Sequence, residues 1–327
     1  MNYQTAFFKI IKSLVPTSLS LPHEMADLLG ISLDSAYRRI RCETPLTLEE
    51  TVQLCLRFDV PLEALNSGMN EVVTFHYQMM YEQGNAISKY LQELQGQLQF
   101  ISQKKDVKLY YAAEDIPVFY HFSSIHLSKF KLYYWQKSIL NISSIPARYS
   151  DFELNDEDLA LVKSISLLYS QIPSIEIWTD ETIKSTLQQI KFYWDAGFFD
   201  QKLEVITICD ELTIIFQNIQ LQAEMGLKKA EHAFTSSNFM LYHSDLMIGN
   251  NCVYFESLDT NAVFLGYNSF NFIRTINKDF IIQNKTWIEN LIRKSTLISK
   301  TGEKQRNQFF KNIFKQIEQL KNAVAND

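Results

Sequence analysis

LPHEMADLLGISLDSAYRRIRCE, running from Leu21 to Glu43, is the stretch on which the reading of this chain turns. It reads as two short helices meeting at Gly30. Met25, Ala26 and Leu29 follow the three- and four-residue spacing that places apolar groups on one helix face. Gly30 supplies the turn, where a positive φ costs least. Ser32 stands where an N-cap is needed, its hydroxyl accepting from a backbone N–H in the first turn of the second helix. On a wheel of that helix, Leu33, Ala36, Tyr37 and Ile40 gather on one side. Asp34, Ser35, Arg38 and Arg41 point the other way, with Arg39 on the flank. A short helix with an apolar back and an arginine-rich front suits the major groove of DNA.

Downstream, Thr47-Leu48-Glu49-Glu50 is a capping box, Thr at the N-cap and Glu at N3, ahead of the apolar positions Leu48, Val52, Cys55 and Phe58. With Ala26 inside the first helix, Gly30 four residues on and Ile31 directly after it, the segment from about Tyr3 to Asn66 resembles the helix-turn-helix of phage-repressor-like transcription regulators. VPLEAL, ending at Leu65, is similar to the short closing helix of that family. Tyr37 departs from the pattern, being a bulky aromatic inside the recognition helix. The resemblance implies double-stranded DNA as partner and Ser32, Asp34, Ser35, Arg38, Arg39 and Arg41 as the residues facing it. On the outward face, Arg38 is the side chain to reach guanine O6 and N7 with its fork, and Ser35 to bond a base edge or phosphate. Arg39 and Arg41, at the margins, are expected at the flanking phosphates. Asp34 is expected to accept from a cytosine amino group or to orient an arginine. The other reading of the same helices is a module for protein contacts.

Charge bears on this choice. Between Met1 and Asn70 six cations face eight anions, a net charge of −2, which leaves little for phosphate neutralisation. Three of the six, however, lie within four residues on the recognition helix. The whole chain of 327 residues carries −6, so any DNA contact is focal. Its 46 % hydrophobic and 13 % aromatic content is ample for a buried core, and its length points to two domains. No run approaches 18 apolar residues, and MNYQTAFFKIIKSLVP lacks the features of a signal peptide, so the expectation is a cytoplasmic protein without a membrane partner. Cys42, Cys55, Cys209 and Cys252 are scattered and show no zinc spacing; three of them are expected as small core residues. The nine glycines never come closer than twelve residues, which excludes a P-loop and a dinucleotide-binding fingerprint.

The expected organisation is a helix-turn-helix domain over 1–68, a linker or dimerisation helix over 69–105 and an α+β domain over 106–327, a mainly α chain with a small antiparallel sheet. Met80, Ile87, Leu91, Leu94, Leu98 and Ile101 form a narrow stripe whose spacing alternates four and three from Ile87 on, with Gly84 at a skipped position. Such a stripe serves either a coiled-coil seam between two copies or a face packed on its own chain. Because helix-turn-helix proteins commonly read two half-sites, a homodimer is expected, through this seam, the C-terminal helix, or both. Residues 107–140 are dense in aromatics, fitting core better than a ligand pocket, and Pro117 starts a helix there. Helices are expected over Asp156–Tyr169, from Asp180 to Gly197, over Gln201–Met225, Lys278–Ile298 and Glu303–Val324. Ser174–Trp178 reads as a strand. Phe239–Ile248, Cys252–Glu256 and Ala262–Tyr267 read as an antiparallel meander between turn-formers.

His243-Ser244-Asp245 contains three catalytic residue types, but adjacent residues cannot converge as a triad. In a strand His243 and Asp245 share a face and can pair. The run also resembles, distantly, the phospholipase D superfamily, with Asp245 where that motif has Lys, Asn250 where it has Asp, and Gly266-Tyr267-Asn268 at the downstream element. The missing lysine implies a catalytically dead copy acting as a sensor. No enzyme activity, cofactor or metal is expected. The leading reading is a DNA-binding transcription regulator whose second domain senses a small-molecule or protein effector or mediates oligomerisation. The alternatives are an enzyme with its site near His243 and an N-terminal interaction module, or a protein-binding scaffold.

Overall fold

In the computed structural model, residues 3–15, 19–60, 62, 73–78, 86–228 and 237–327 are described. The closing helix expected to end at Leu65, the boundary at 66–68 and the seam positions Met80 and Gly84 lie outside them.

Four helices make the N-terminal module: α1 (Tyr3–Leu14), α2 (Leu21–Leu29), α3 (Leu33–Ile40) and α4 (Leu48–Phe58). Their inward faces form a core of their own, built on Phe7, Phe8, Ile11, Met25, Ala36 and Leu54, all at most 2 % exposed. Gly30 closes α2 in the left-handed region at φ 63°, and nothing crowds the place a Cβ would take, so the requirement there is one of backbone conformation alone. The Ser32 cap and the Thr47–Glu50 capping box form as the sequence indicates.

The chain continues through β1 (His76–Tyr77), α5 (Ala86–Ser102), β2 (Lys108–Ala112), α6 (Val118–His121), and α7 (Ile125–Tyr134), which runs on into a π turn at Trp135–Ile139. Then come α8 (Asp156–Ser170), β3 (Ser174–Trp178), α9 (Lys184–Asp195), α10 (Lys202–Met225), β4 (Leu227–Lys228) and β5 (Ser237–His243). The meander β6 (Cys252–Glu256), β7 (Asn261–Tyr267) and β8 (Asn271–Thr275) precedes α11 (Lys278–Arg293), β9 (Thr296–Leu297) and α12 (Glu303–Asn326). The chain is thus mainly α with an α+β part.

Its sheet is mixed rather than purely antiparallel, in the order β1-β8-β7-β6-β2-β3-β5-β4, with β9 also on β5. β2, β3 and β5 are parallel neighbours, and helical crossovers connect them. β6, β7 and β8 form the expected meander, but β5 does not join it: β2 and β3 lie between β5 and β6. Among the described residues, both outer ends of the sheet are two-residue strands, β1 on one side and β4 with β9 on the other.

Alternation along the strands serves two covered faces. Leu109 and Tyr111 of β2 and Val253 and Phe255 of β6 enter the large core under α5 to α10 and α12. Ala112, Cys252 and Tyr254 enter the opposite core, where α11 brings Ile281, Ile288 and Leu291. With apolar residues on both sides, β2 reads in sequence as part of an aromatic run and not as a half-buried strand. The aromatics of 107–140 are indeed core: Tyr111, Phe119, Phe122, Phe130, Tyr133 and Trp135 are all buried.

The α5 stripe is turned inward. Ile87, Leu91, Leu98 and Ile101 are at most 6 % exposed and belong to the large core, and α5 lies along α8. The apolar face of α12 (Phe310, Ile313, Ile317, Leu320, Val324) is likewise buried, against α10. Neither surface is open to a second copy. The reason is geometric: a four-three spacing specifies a narrow apolar seam but not the chain that fills it. The helix expected to reach Ile298 ends at Arg293, and the chain then pairs with β5 as β9.

Among the described residues, the carboxylate of Asp59 ties the module to the sheet. Asp59, the left-handed C-cap of α4, receives His76 Nδ1 on one oxygen at 3.0 Å and Arg274 Nη2 on the other at 3.1 Å. The hydrogen bond from His76, with the charge of Arg274 behind it, holds this carboxyl below its ordinary range.

Candidate nucleic-acid interface

α3 is eight residues long and touches the module core through Ala36, fully buried, and Ile40, which packs at its edge. So narrow a contact leaves the rest of the helix outside. Leu33 and Tyr37, placed on the apolar side by the wheel, are 38 % and 42 % exposed. Tyr37 therefore stands on the open surface one turn from Arg41 and beside Arg38. Its bulk in a helix with only one fully buried position is the signal that it belongs outside.

Arg38 is 60 % exposed, with Asp34 at 3.8 Å and Glu43 at 4.0 Å. Arg41, 56 % exposed, pairs with Glu43 at 2.9 Å. Asp34 is the most open of the group. Ser32 Oγ accepts from Ser35 N and donates to Ser35 Oγ, which spends most of its capacity on capping the helix. Two arginines and two carboxylates thus share the front, so its local charge is balanced.

Arg39 is not part of this front. Its Nε and Nη2 bond both oxygens of Glu50, at 3.0 and 2.8 Å, and its Nη1 reaches Ser35 O. The same Glu50 accepts from Thr47 N in the capping box. One carboxylate therefore fastens the start of α4 to α3, and the Arg39 contact is the main reason its pKa is lowered. The expected phosphate role of Arg39 is replaced by a structural one, because the flank of α3 faces α4. Gln4 completes the frame: its amide donates to Arg39 O and Thr44 O and accepts from Leu46 N. Arg39→Met is expected to destabilise the module by about 1.5–3 kcal/mol, the usual worth of hydrogen bonds to charged groups. Faster amide exchange in the first turn of α4 checks it, and unchanged exchange there counts against the role.

Two interior networks of ionisable groups lie in the second domain. Glu176, on β3 and fully buried, accepts from Tyr120 Oη, Tyr169 Oη and Ser174 Oγ on Oε1 (2.8, 2.6 and 2.9 Å) and from Trp178 Nε1 on Oε2 (3.1 Å). Lys228 Nζ lies 4.0 Å away, donates to Tyr169 O and sits 3.6 Å above the Tyr169 ring. Sequence reasoning passed over this network, although an acid inside the apolar strand SIEIW was a visible sign of it. The second network joins Lys131 Nζ to Thr186 Oγ1 and Gln189 Oε1, at 2.8 and 2.9 Å, and to Asp115 at 3.5 Å. His121 lies beside it with Nε2 on Thr186 and Nδ1 unpartnered. Burial, followed by the charge of Lys131, holds the His121 pKa well below the ordinary value.

His243 and Asp245 do not form a site. β5 ends at His243, and Asp245 is exposed in the bend beyond it, so the shared strand face is lost. His243 Nε2 instead meets Asp180 Oδ1 at 3.2 Å, with the Phe309 ring 5.0 Å from its own. Asn250 is exposed, and Gly266 backs onto Asn251, whose carbonyl accepts from Gly266 N at 2.7 Å. Among the described residues, no three His, Cys, Asp or Glu converge on a point where a metal would sit, and no helix is long and apolar enough to cross a membrane. No family profile, no curated protein and no solved structure matches the chain.

Proposed function

We propose that the chain is a sequence-specific DNA-binding transcription regulator whose module reads the major groove with α3, while the second domain responds to an effector. The observation that carries this reading is the α2–Gly30–α3 turn with Arg38 and Arg41 held open on the outer face while Arg39 locks the helix from behind. Arg38 must leave Asp34 and Glu43 to reach a base. Exposed ion pairs are worth about 0.2–1 kcal/mol, whereas a bidentate arginine–guanine contact discriminates by about 1–3 kcal/mol, so the exchange favours DNA. Tyr37, alongside, offers a ring to a thymine methyl or a hydroxyl to phosphate. The reading includes a cytoplasmic homodimer, since one module of net charge −2 has little capacity for phosphate neutralisation. Its contacts lie outside the α5 stripe and the apolar face of α12.

The test starts from genomic fragments retained by the 327-residue chain, and titrates a selected duplex and a scrambled one at two salt concentrations. Arg38→Ala is expected to lose sequence preference by roughly 5- to 150-fold, the equivalent of about 1–3 kcal/mol. Arg41→Ala is expected to weaken both duplexes alike and flatten the salt slope by about one unit. Equal wild-type binding to both duplexes, or an Arg38→Ala protein with unchanged preference, overturns the reading.

A further inference from the structure

A cleft of about 910 Å³ separates the module from the sheet and from α5. Phe58 closes it on the module side, Phe100 on α5, and Phe264 and Phe272 on the neighbouring strands β7 and β8. Its size falls in the range of small-molecule sites, which are mostly apolar with a few polar groups that fix orientation. Asp59, His76 and Arg274 also face it, but they are bound to one another.

Two further charges line the cleft, Lys89 and Glu93, one turn apart on α5. At this spacing opposite charges on a helix ordinarily meet. Lys191 and Asp195, in the same order and at the same spacing on α9, pair at 2.7 Å. Lys89 and Glu93 do not pair with each other, and neither has a hydrogen-bond or ion-pair partner among the described residues. Desolvation, then the charge of Asp59, raises the Glu93 pKa against the opposing charge of Arg274. The cleft thus presents an ammonium and a carboxylate side by side, above an aromatic floor.

We propose that this cleft binds a free α-amino acid with a large apolar side chain, its ammonium on Glu93, its carboxylate on Lys89 and its side chain among Phe58, Phe100, Phe264 and Phe272. The two ligand charges are adjacent on one carbon, which matches neighbouring side chains whose Cβ atoms stand about 5–6 Å apart on a helix. A ligand bearing only one of the charges leaves the other side chain as it is in the empty cleft. Because the cleft has the module as one wall and the sheet as another, occupancy bears on how the module is held at Asp59. That the ligand acts as an effector rests on the DNA-binding reading; the binding does not.

Calorimetric titration of the 327-residue chain with L-phenylalanine, L-leucine and L-tryptophan tests the site, with phenethylamine and 3-phenylpropionate as single-charge controls. At least one amino acid is expected to bind saturably, and the two analogues of phenylalanine to bind roughly tenfold or more weakly than it does. Glu93→Gln is expected to weaken the amino acid and the amine while sparing the acid, and Lys89→Gln to do the reverse. Both side chains are exposed, so neither change threatens the fold. Absence of saturable binding by all three amino acids up to about 10 mM overturns the proposal, as that limit corresponds to less than about 3 kcal/mol of affinity. So does equal binding of phenylalanine and its single-charge analogues, or indifference to both substitutions. Saturable binding by a protein that retains no DNA leaves the site standing and removes only the regulatory reading.

Discussion

Glu176→Ala is expected to lower the unfolding free energy by about 3–5 kcal/mol, the range for removing one partner from a buried, hydrogen-bonded ionic network. Four donors lose their acceptor at once: the hydroxyls of Tyr120, Tyr169 and Ser174, and the indole N–H of Trp178. Those groups come from α6, α8 and β3, so the carboxylate ties two helices to the middle of the sheet. At about 2–4 °C per kcal/mol for a domain of this size, the midpoint falls by roughly 10 °C. Glu176→Gln keeps the volume and one acceptor oxygen but turns an amide N–H₂ toward the donors, and is expected to cost less, about 1–3 kcal/mol. Thermal and urea unfolding of both variants provide the check. An alanine variant within about 1 kcal/mol of wild type shows that the interior tolerates those donors unpaired.

The second large effect is on pH. Burial brings the Lys228 ammonium down from its ordinary 10.5 to about 7, against the opposing pull of Glu176. The folded group therefore sheds its proton near pH 7, whereas the unfolded one keeps it to about 10.5. Between those values the unfolded state binds more protons, so stability rises with pH, by up to about 1.4 kcal/mol per unit. Below pH 7 both states hold the proton and the slope from this group vanishes. Above about pH 10 the sign reverses, since Tyr120 and Tyr169, whose hydroxyls burial and Glu176 push upward, stay protonated in the folded protein while unfolded tyrosine ionises. Urea midpoints at pH 7, 8 and 9 are expected to increase in wild type and to level out in Lys228→Met. A flat wild-type profile contradicts the low Lys228 pKa.

The features legible in the sequence were those whose cause is local. Gly30 and Gly226 end helices because the chain needs a positive φ there, and the Thr47–Glu50 box writes the start of α4 into four consecutive residues. What escaped depends on neighbours distant in the chain. The Ile87–Ile101 stripe has the spacing of a seam, but only α8, more than fifty residues away, determines that it is filled from within. Arg39 looked like a phosphate ligand until Glu50 took both arms of its fork. His243 had a carboxylate two residues on in sequence and found a different one, Asp180, across the parallel β3–β5 pair. β2 carried no alternation to read, since helices cover both sides of the sheet.

The two-residue strands at the borders of the sheet have a consequence for how copies of the protein can meet. An open border of five or six residues is a template on which another chain can build a ladder, and such growth has no natural stopping point. Among the described residues, β1 on one side and β4 with β9 on the other provide two residues each, too short for a foreign strand to gain a foothold. Any contact between copies at these borders would rest on side chains and not on a shared backbone ladder.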